Sequence, residues 1–219
     1  MIRAACIAIL CLPGLAAAQQ DDFTLHPADQ ARLDGFDATV GKALLQAFAG
    51  GRLGDVDQLQ EVLSGQPVAP LETTLQGSWT CRMLKVGGDL NPLVVYAPFD
   101  CEIAADGTGF TVEKVSGSQR LTGRIALLDG QMVLTGTGYV TDTTPVAYAN
   151  LPQDTAGDGT IWPVVGVAEQ VAQDRVRILM PKPVLESDLD ILDLRRKPGP
   201  EAAVPAPVDD TETAAPAND

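Results

Sequence analysis

Leu75-Gln76-Gly77-Ser78-Trp79-Thr80-Cys81-Arg82-Met83 marks the point where helical patterning stops and strand patterning starts. Leu75, Gly77, Trp79, Cys81 and Met83 share one parity, and Gln76, Ser78, Thr80 and Arg82 share the other. A period of two is the signature of a half-buried strand, so the first set points inward. Upstream, His26-Pro27-Ala28-Asp29 reads as a helix start, with proline at the first helical position and an acid in the first turn. Leu33, Phe36, Val40, Leu44 and Phe48 then recur at three- and four-residue steps until Gly50-Gly51. A shorter helix starts at Asp55 as its cap and carries Leu59, Val62 and Leu63 before Gly65 and Pro67. Two amphipathic helices need a surface to cover, and the sheet that follows supplies one.

Downstream, further strands are predicted over 95–104, 109–115, 119–128, 131–141, 161–171, 175–180 and 187–196. With the first, that makes about eight, the number that suits a small closed antiparallel barrel. The fold class is therefore mainly β with N-terminal helices: an up-and-down barrel of about eight strands, capped at its closed end by two helices that cover Trp79. An open sandwich is the alternative. In the up-and-down order the tight turns Asp106-Gly107, Asp129-Gly130 and Gln173-Asp174 fall at the Trp79 end. The longer loops near 86–94, 142–160 and 181–186, with the Ser116-Gly117-Ser118 turn, fall at the other, which is where binding residues are expected.

The chain has 219 residues and a formal charge of −14, which argues against nucleic acid or an anionic membrane as partner. Met1-Ile2-Arg3, an apolar run, Pro13-Gly14 and Ala16-Ala17-Ala18 form the pattern of a secretory signal peptide, with cleavage after Ala18 and no membrane span left behind. The expected localisation is periplasmic or secreted. Residues 19–74 then form the helical segment and 75–197 the barrel, whereas 198–219, rich in Pro, Ala and acids, cannot bury enough surface to fold. Loss of the leader leaves Cys81 and Cys101. An even pair without Cys-x-x-Cys spacing, in an oxidising compartment, reads as a disulfide. Closing a loop of about 20 residues stabilises a fold by roughly 3 kcal/mol in the chain-entropy view.

His26 is the only histidine, so a catalytic triad or a histidine metal cluster has little to build on, and it reads as a surface or cap residue. No cofactor motif is present, and the acids at 154–158 lack calcium-loop spacing. The sharper constellation comes from parity. Lys85, Lys114 and Gln119 lie on inward faces at the ends of strands that converge on the long-loop mouth, where Tyr96, Tyr148 and Lys182 could join them from loops. Such a mouth suits a small anionic or amphipathic molecule. The plainer reading is that the lysines snorkel to water. Glu113 and Arg120 are expected outside, as a cross-strand pair.

Two resemblances rest on these residues. Gly77-x-Trp79 opening the first strand, with Arg195 or Arg196 on the last, resembles the lipocalin-like calycin pattern, which implies a cation packed over the tryptophan at the closed end of the barrel. Trp79-Thr80-Cys81-Arg82, Lys85 with Gly87-Gly88, Tyr96 and Phe99 before Cys101, Glu113-Lys114-x-Ser116-Gly117-Ser118-Gln119-Arg120 and Leu185-Glu186-Ser187 are similar to the exported bacterial family named domain of unknown function 4893. That second resemblance implies an exported protein and carries no catalytic residues with it. The functional expectation is a non-catalytic binding protein. The alternative is a protein-interaction module, for an envelope protein or as an inhibitor of an exported hydrolase, and an enzyme ranks third.

Overall fold

The computed structural model describes residues 24–68, 75–88, 91–153 and 159–198. Residues 1–23, where a signal peptide is expected, the acidic residues 154–158 and the residues beyond Pro198 lie outside the described ones. Three helices, α1 (Pro27–Asp34), α2 (Phe36–Gly50) and α3 (Leu53–Leu63), precede nine strands. These are β1 (Gly77–Val86), β2 (Leu93–Val95), β3 (Phe99–Ala105), β4 (Gly109–Lys114), β5 (Gln119–Leu128), β6 (Gln131–Val140), β7 (Ile161–Ala172), β8 (Arg175–Pro181) and β9 (Leu189–Arg196).

Neighbouring strands pair antiparallel in chain order, and β1 returns to pair with β9. The result is a closed eight-stranded barrel with β2 as one extra strand. β1 serves two partners on one side, β3 through Gly77 to Cys81 and β2 through Leu84 to Val86. The single strand expected over 95–104 is thus two strands, separated at Pro98, which has no N–H to give to a ladder.

The inward parity read from the first strand holds: Leu75, Trp79 and Cys81 are fully buried in the barrel core. A disulfide joins Cys81 to Cys101 across β1 and β3. Trp79 donates its indole N–H to the Leu75 carbonyl at 2.9 Å, and the Arg196 guanidinium lies 4.4 Å over its ring. Arg196, not Arg195, is therefore the closing cation; Arg195 turns outward to Asp193 and Glu61. Gly77, at φ +136, leaves room for that guanidinium, since a Cβ there would meet Arg196 Nη1 at 3.1 Å.

The helices do not cover this end. Ala43 and Ala47 of α2 and Leu59 and Val62 of α3 pack on the outer wall of the barrel, against Leu84, Val86, Leu189 and Ile191. Arg177 fixes the α3 terminus by donating to the carbonyls of Val62, Leu63 and Ser64. α3 opens at Leu53 after Arg52, so Asp55 sits in its first turn and accepts from Arg52 Nε at 2.8 Å. The long first helix is interrupted at Gly35, which frees α1 to lie against β7. Among the described residues no helix is long and apolar enough to cross a membrane.

The inward glycines leave less space than their number implies. Gly138 on β6 faces Trp162 on β7, and a Cβ there would fall 2.1 Å from the indole nitrogen. Trp162 thus fills the room that Gly138 vacates, and the middle of the barrel is packed. Gly138→Ala is expected to destabilise the fold by about 1–3 kcal/mol through overpacking, measured as a drop in the denaturation midpoint; an unchanged midpoint would contradict the packing described.

Candidate ligand-binding mouth

The strand order brings Lys85, Lys114 and Gln119 together at the long-loop end. Two hollows meet there. An inner chamber of about 50 Å³ lies inside the barrel against Leu121, Trp162 and Met180. An outer cleft of about 150 Å³ opens between Tyr96, Phe99, Ser118 and Glu186. Met83, Lys85, Lys114 and Gln119 border both.

Neither lysine snorkels. Lys85 is 7% exposed and Lys114 is 4% exposed, because closure of the barrel turns their stems inward and the mouth loops fold over them. Lys85 donates to Gln119 Oε1 at 3.4 Å and forms an ion pair with Glu186, whose side chain is more than half exposed. Lys114 donates to the carbonyls of Ser116 at 2.7 Å and Gln119 at 2.6 Å, and its ammonium lies 3.6 Å over the Phe99 ring. Among the described residues it has no carboxylate partner. Burial, with the Arg120 charge adding to it, pulls the Lys114 ammonium down to about 8.

Tyr96 lines the outer cleft, whereas two expected companions do not reach the mouth. Lys182 is exposed, at φ +44 in the turn after β8, and borders neither hollow. Tyr148 lies in a short 3-10 turn and anchors α1. Its hydroxyl donates to Asp29 Oδ2 at 2.7 Å and accepts from the His26 backbone N–H at 2.9 Å. The His26 ring stacks on it at 4.3 Å, so His26 is a buried packing residue and not a surface one. Burial raises the Tyr148 phenol far above its usual range.

Three residues that the parity argument did not supply complete the chamber. Arg32 reaches over from α1, held by Asp29 Oδ1 at 2.7 Å, the Pro181 carbonyl at 3.0 Å and the Pro163 carbonyl at 3.4 Å. Arg120, expected on the outer face beside Glu113, borders the chamber and acts on Lys114. Asp190 stands opposite Lys85 in the β1–β9 register, and Ser187 donates to it at 2.5 Å. Its sequence signal was that register: a residue that pairs with an inward lysine must itself face inward. No group of three His, Cys, Asp or Glu side chains among the described residues could hold a metal.

Burial raises the Asp190 carboxyl to about 6, against the pull of Lys85 and the Ser187 hydrogen bond. The folded state therefore holds this proton more tightly than the unfolded chain, and charging the carboxyl costs stability that is lost as pH rises from about 4 to 6. Asp190→Asn is expected to stabilise the protein on the order of 2 kcal/mol at pH 7.5, with the gain shrinking below pH 6. Urea melts of both proteins at several pH values check this, and a gain independent of pH would refute the assignment.

A family model described as Domain of unknown function (DUF4893) matches residues 23–194, from the residue before the described helical segment through nearly all of β9. No curated protein and no solved structure matches the chain. The matched span takes in α1 to β8, the disulfide and every residue of the mouth, and on that match the chain belongs to the DUF4893 family.

Proposed function

We propose that this is an exported binding protein that holds a small anionic or amphipathic molecule, without catalysis, at the long-loop mouth of its barrel. One observation carries the reading. The Lys114 ammonium is almost wholly buried, and among the described residues its partners are backbone carbonyls and an aromatic face. A desolvated charge without a counter-ion costs stability, and a barrel built only to be stable would place an apolar side chain there. An anion in either hollow supplies the missing partner. Lys85 and Arg120 add positive potential, Tyr96 provides an amphipathic wall and Phe99 an apolar one. Asp190 and Glu186 oppose it.

The charge state of Lys114 gives the pH dependence its sign. The ammonium is present below about 8 and lost above it, so affinity for sulfate or acetate is expected to fall as pH rises through 8. Protonation of Asp190 removes a negative charge from the chamber, so affinity is also expected to rise as pH falls through 6. Lys114→Met is expected to weaken binding of either anion at least tenfold while the melting temperature moves little, because relief of the buried charge offsets the two lost hydrogen bonds. Titration calorimetry across pH, with thermal melts of the variant, tests both; unfolding of Lys114→Met, or binding indifferent to pH between 7 and 9.5, would count against the reading.

A second reading, the protein-interaction module, is favoured by an apolar surface on the helices: Leu45, Phe48 and Leu53 are exposed, Leu53 by 84%. Native mass spectrometry of the protein from its own cell envelope separates the two. A retained small mass supports the mouth, and a complex abolished by Phe48→Glu supports the helices.

A further inference from the structure

Among the described residues, Glu186 is the carboxylate that reaches Lys85 from an exposed position. It lies at φ +73 in the turn between β8 and β9 and extends back over the mouth to Lys85. Lys85 is nearly buried and Glu186 is not, so the contact is a fixed cation holding a carboxylate that came to it from solvent. Gln119 completes the receptor from the side, within 3.4 Å of the same ammonium. Beneath this contact the chamber offers apolar walls in Met83, Leu121, Trp162, Met180 and Leu185, alongside the charged Arg32, Arg120 and Asp190. A charged grip above apolar walls is the shape of an amphiphile with its head outward.

Resting on the reading that the mouth binds an anion, we infer that its ligand is a short-chain monocarboxylate: the head group displaces Glu186 from Lys85, and the tail enters the inner chamber. Glu186 is then the protein's own stand-in for the ligand head, closing the chamber when no ligand is bound. The chamber volume sets the tail. About 50 Å³, at roughly 10–15 Å³ per water-sized group, has room for about three to five methylene-sized groups. Inorganic sulfate or phosphate could reach Lys85 and Lys114 but would leave the apolar walls unused.

The test is a calorimetric titration of the mature full-length protein and its Glu186→Gln variant with unbranched monocarboxylates from acetate to octanoate, with sulfate as a head-only control. Affinity is expected to rise about fourfold per methylene (about 0.8 kcal/mol) until three to five tail carbons are buried, then to level off or fall. Glu186→Gln is expected to tighten every carboxylate at least threefold, since the competitor is gone. The tail is also expected to alter tryptophan fluorescence, and Trp162→Phe should abolish that change while Trp79, at the far end, stays silent. A dissociation constant independent of chain length, or unchanged or weaker binding by Glu186→Gln, overturns the inference while sulfate and acetate binding preserves the anion reading. If neither protein binds any of these anions, both fall together.

Discussion

The pairing of β1 with β9, eight rungs from Trp79 opposite Arg196 to Val86 opposite Leu189, is the constraint on which the rest of the structure depends. It closes the sheet, and closure gives every residue of the two strands an irrevocable side. On β1 the odd positions Trp79, Cys81, Met83 and Lys85 go in, while Leu84 and Val86 go out; on β9 Asp190, Leu192 and Leu194 go in, while Leu189 and Ile191 go out. One seam thus builds two apolar clusters, a barrel core inside and a helix dock outside. It also sets Lys85 opposite Asp190 at the mouth and Arg196 against Trp79 at the other end, where the cation over the indole contributes roughly 0.5–2 kcal/mol.

Much of this was legible because the first half of β1, from Gly77 to Arg82, alternates. Trp79, Cys81 and Lys85 share a parity that no other reading explains, and Asp106-Gly107 and Asp129-Gly130 announce the turns at the closed end. What escaped reading lies where both faces of a strand are covered. Ile161 to Val167 is an unbroken apolar run, because its outer face meets α1 and its inner face meets the core, so no periodicity identifies Trp162 as an inward residue. In β9 the outer positions Leu189 and Ile191 are as apolar as the inner Leu192 and Leu194, which hides the inward Asp190 among them. The position of the helices escaped for the same reason: the apolar outer wall of β1 and β9 that attracts them is visible only once the sheet has closed. Tyr148 and Lys182 were misplaced because loop residues have no parity to argue from.

The mouth gathers four cations, Arg32, Lys85, Lys114 and Arg120, around one chamber in a chain whose net charge is −14. Their partners differ in kind. Arg32 is tied to Asp29, which Tyr148 holds in turn, so that pair is satisfied within the fold and secures α1 to the barrel. Lys85 leans on an exposed acid, and Lys114 has none among the described residues. The gradient runs from a fully structural cation at the helix side to an uncompensated one at the cleft side. Structural economy accounts for the first and not for the last.

That gradient also locates the entrance. Two borders of the inner chamber can be compared as entrances: Arg32 under α1, and Lys85, which pairs with Glu186, toward the outer cleft. Opening the first means breaking Arg32 from a carboxylate and from the carbonyls of Pro163 and Pro181 at the barrel rim. Opening the second means releasing one half-exposed carboxylate, which water can solvate at once, and it leaves the buried Lys85 with Gln119 and the opposing Asp190 still beside it. The cleft side is therefore the weaker door. The same loop order that brings Gln119 beside Lys85 lines the outer cleft with Tyr96 and Phe99, so a molecule entering by that door has aromatic walls beside the charges of Lys85 and Glu186.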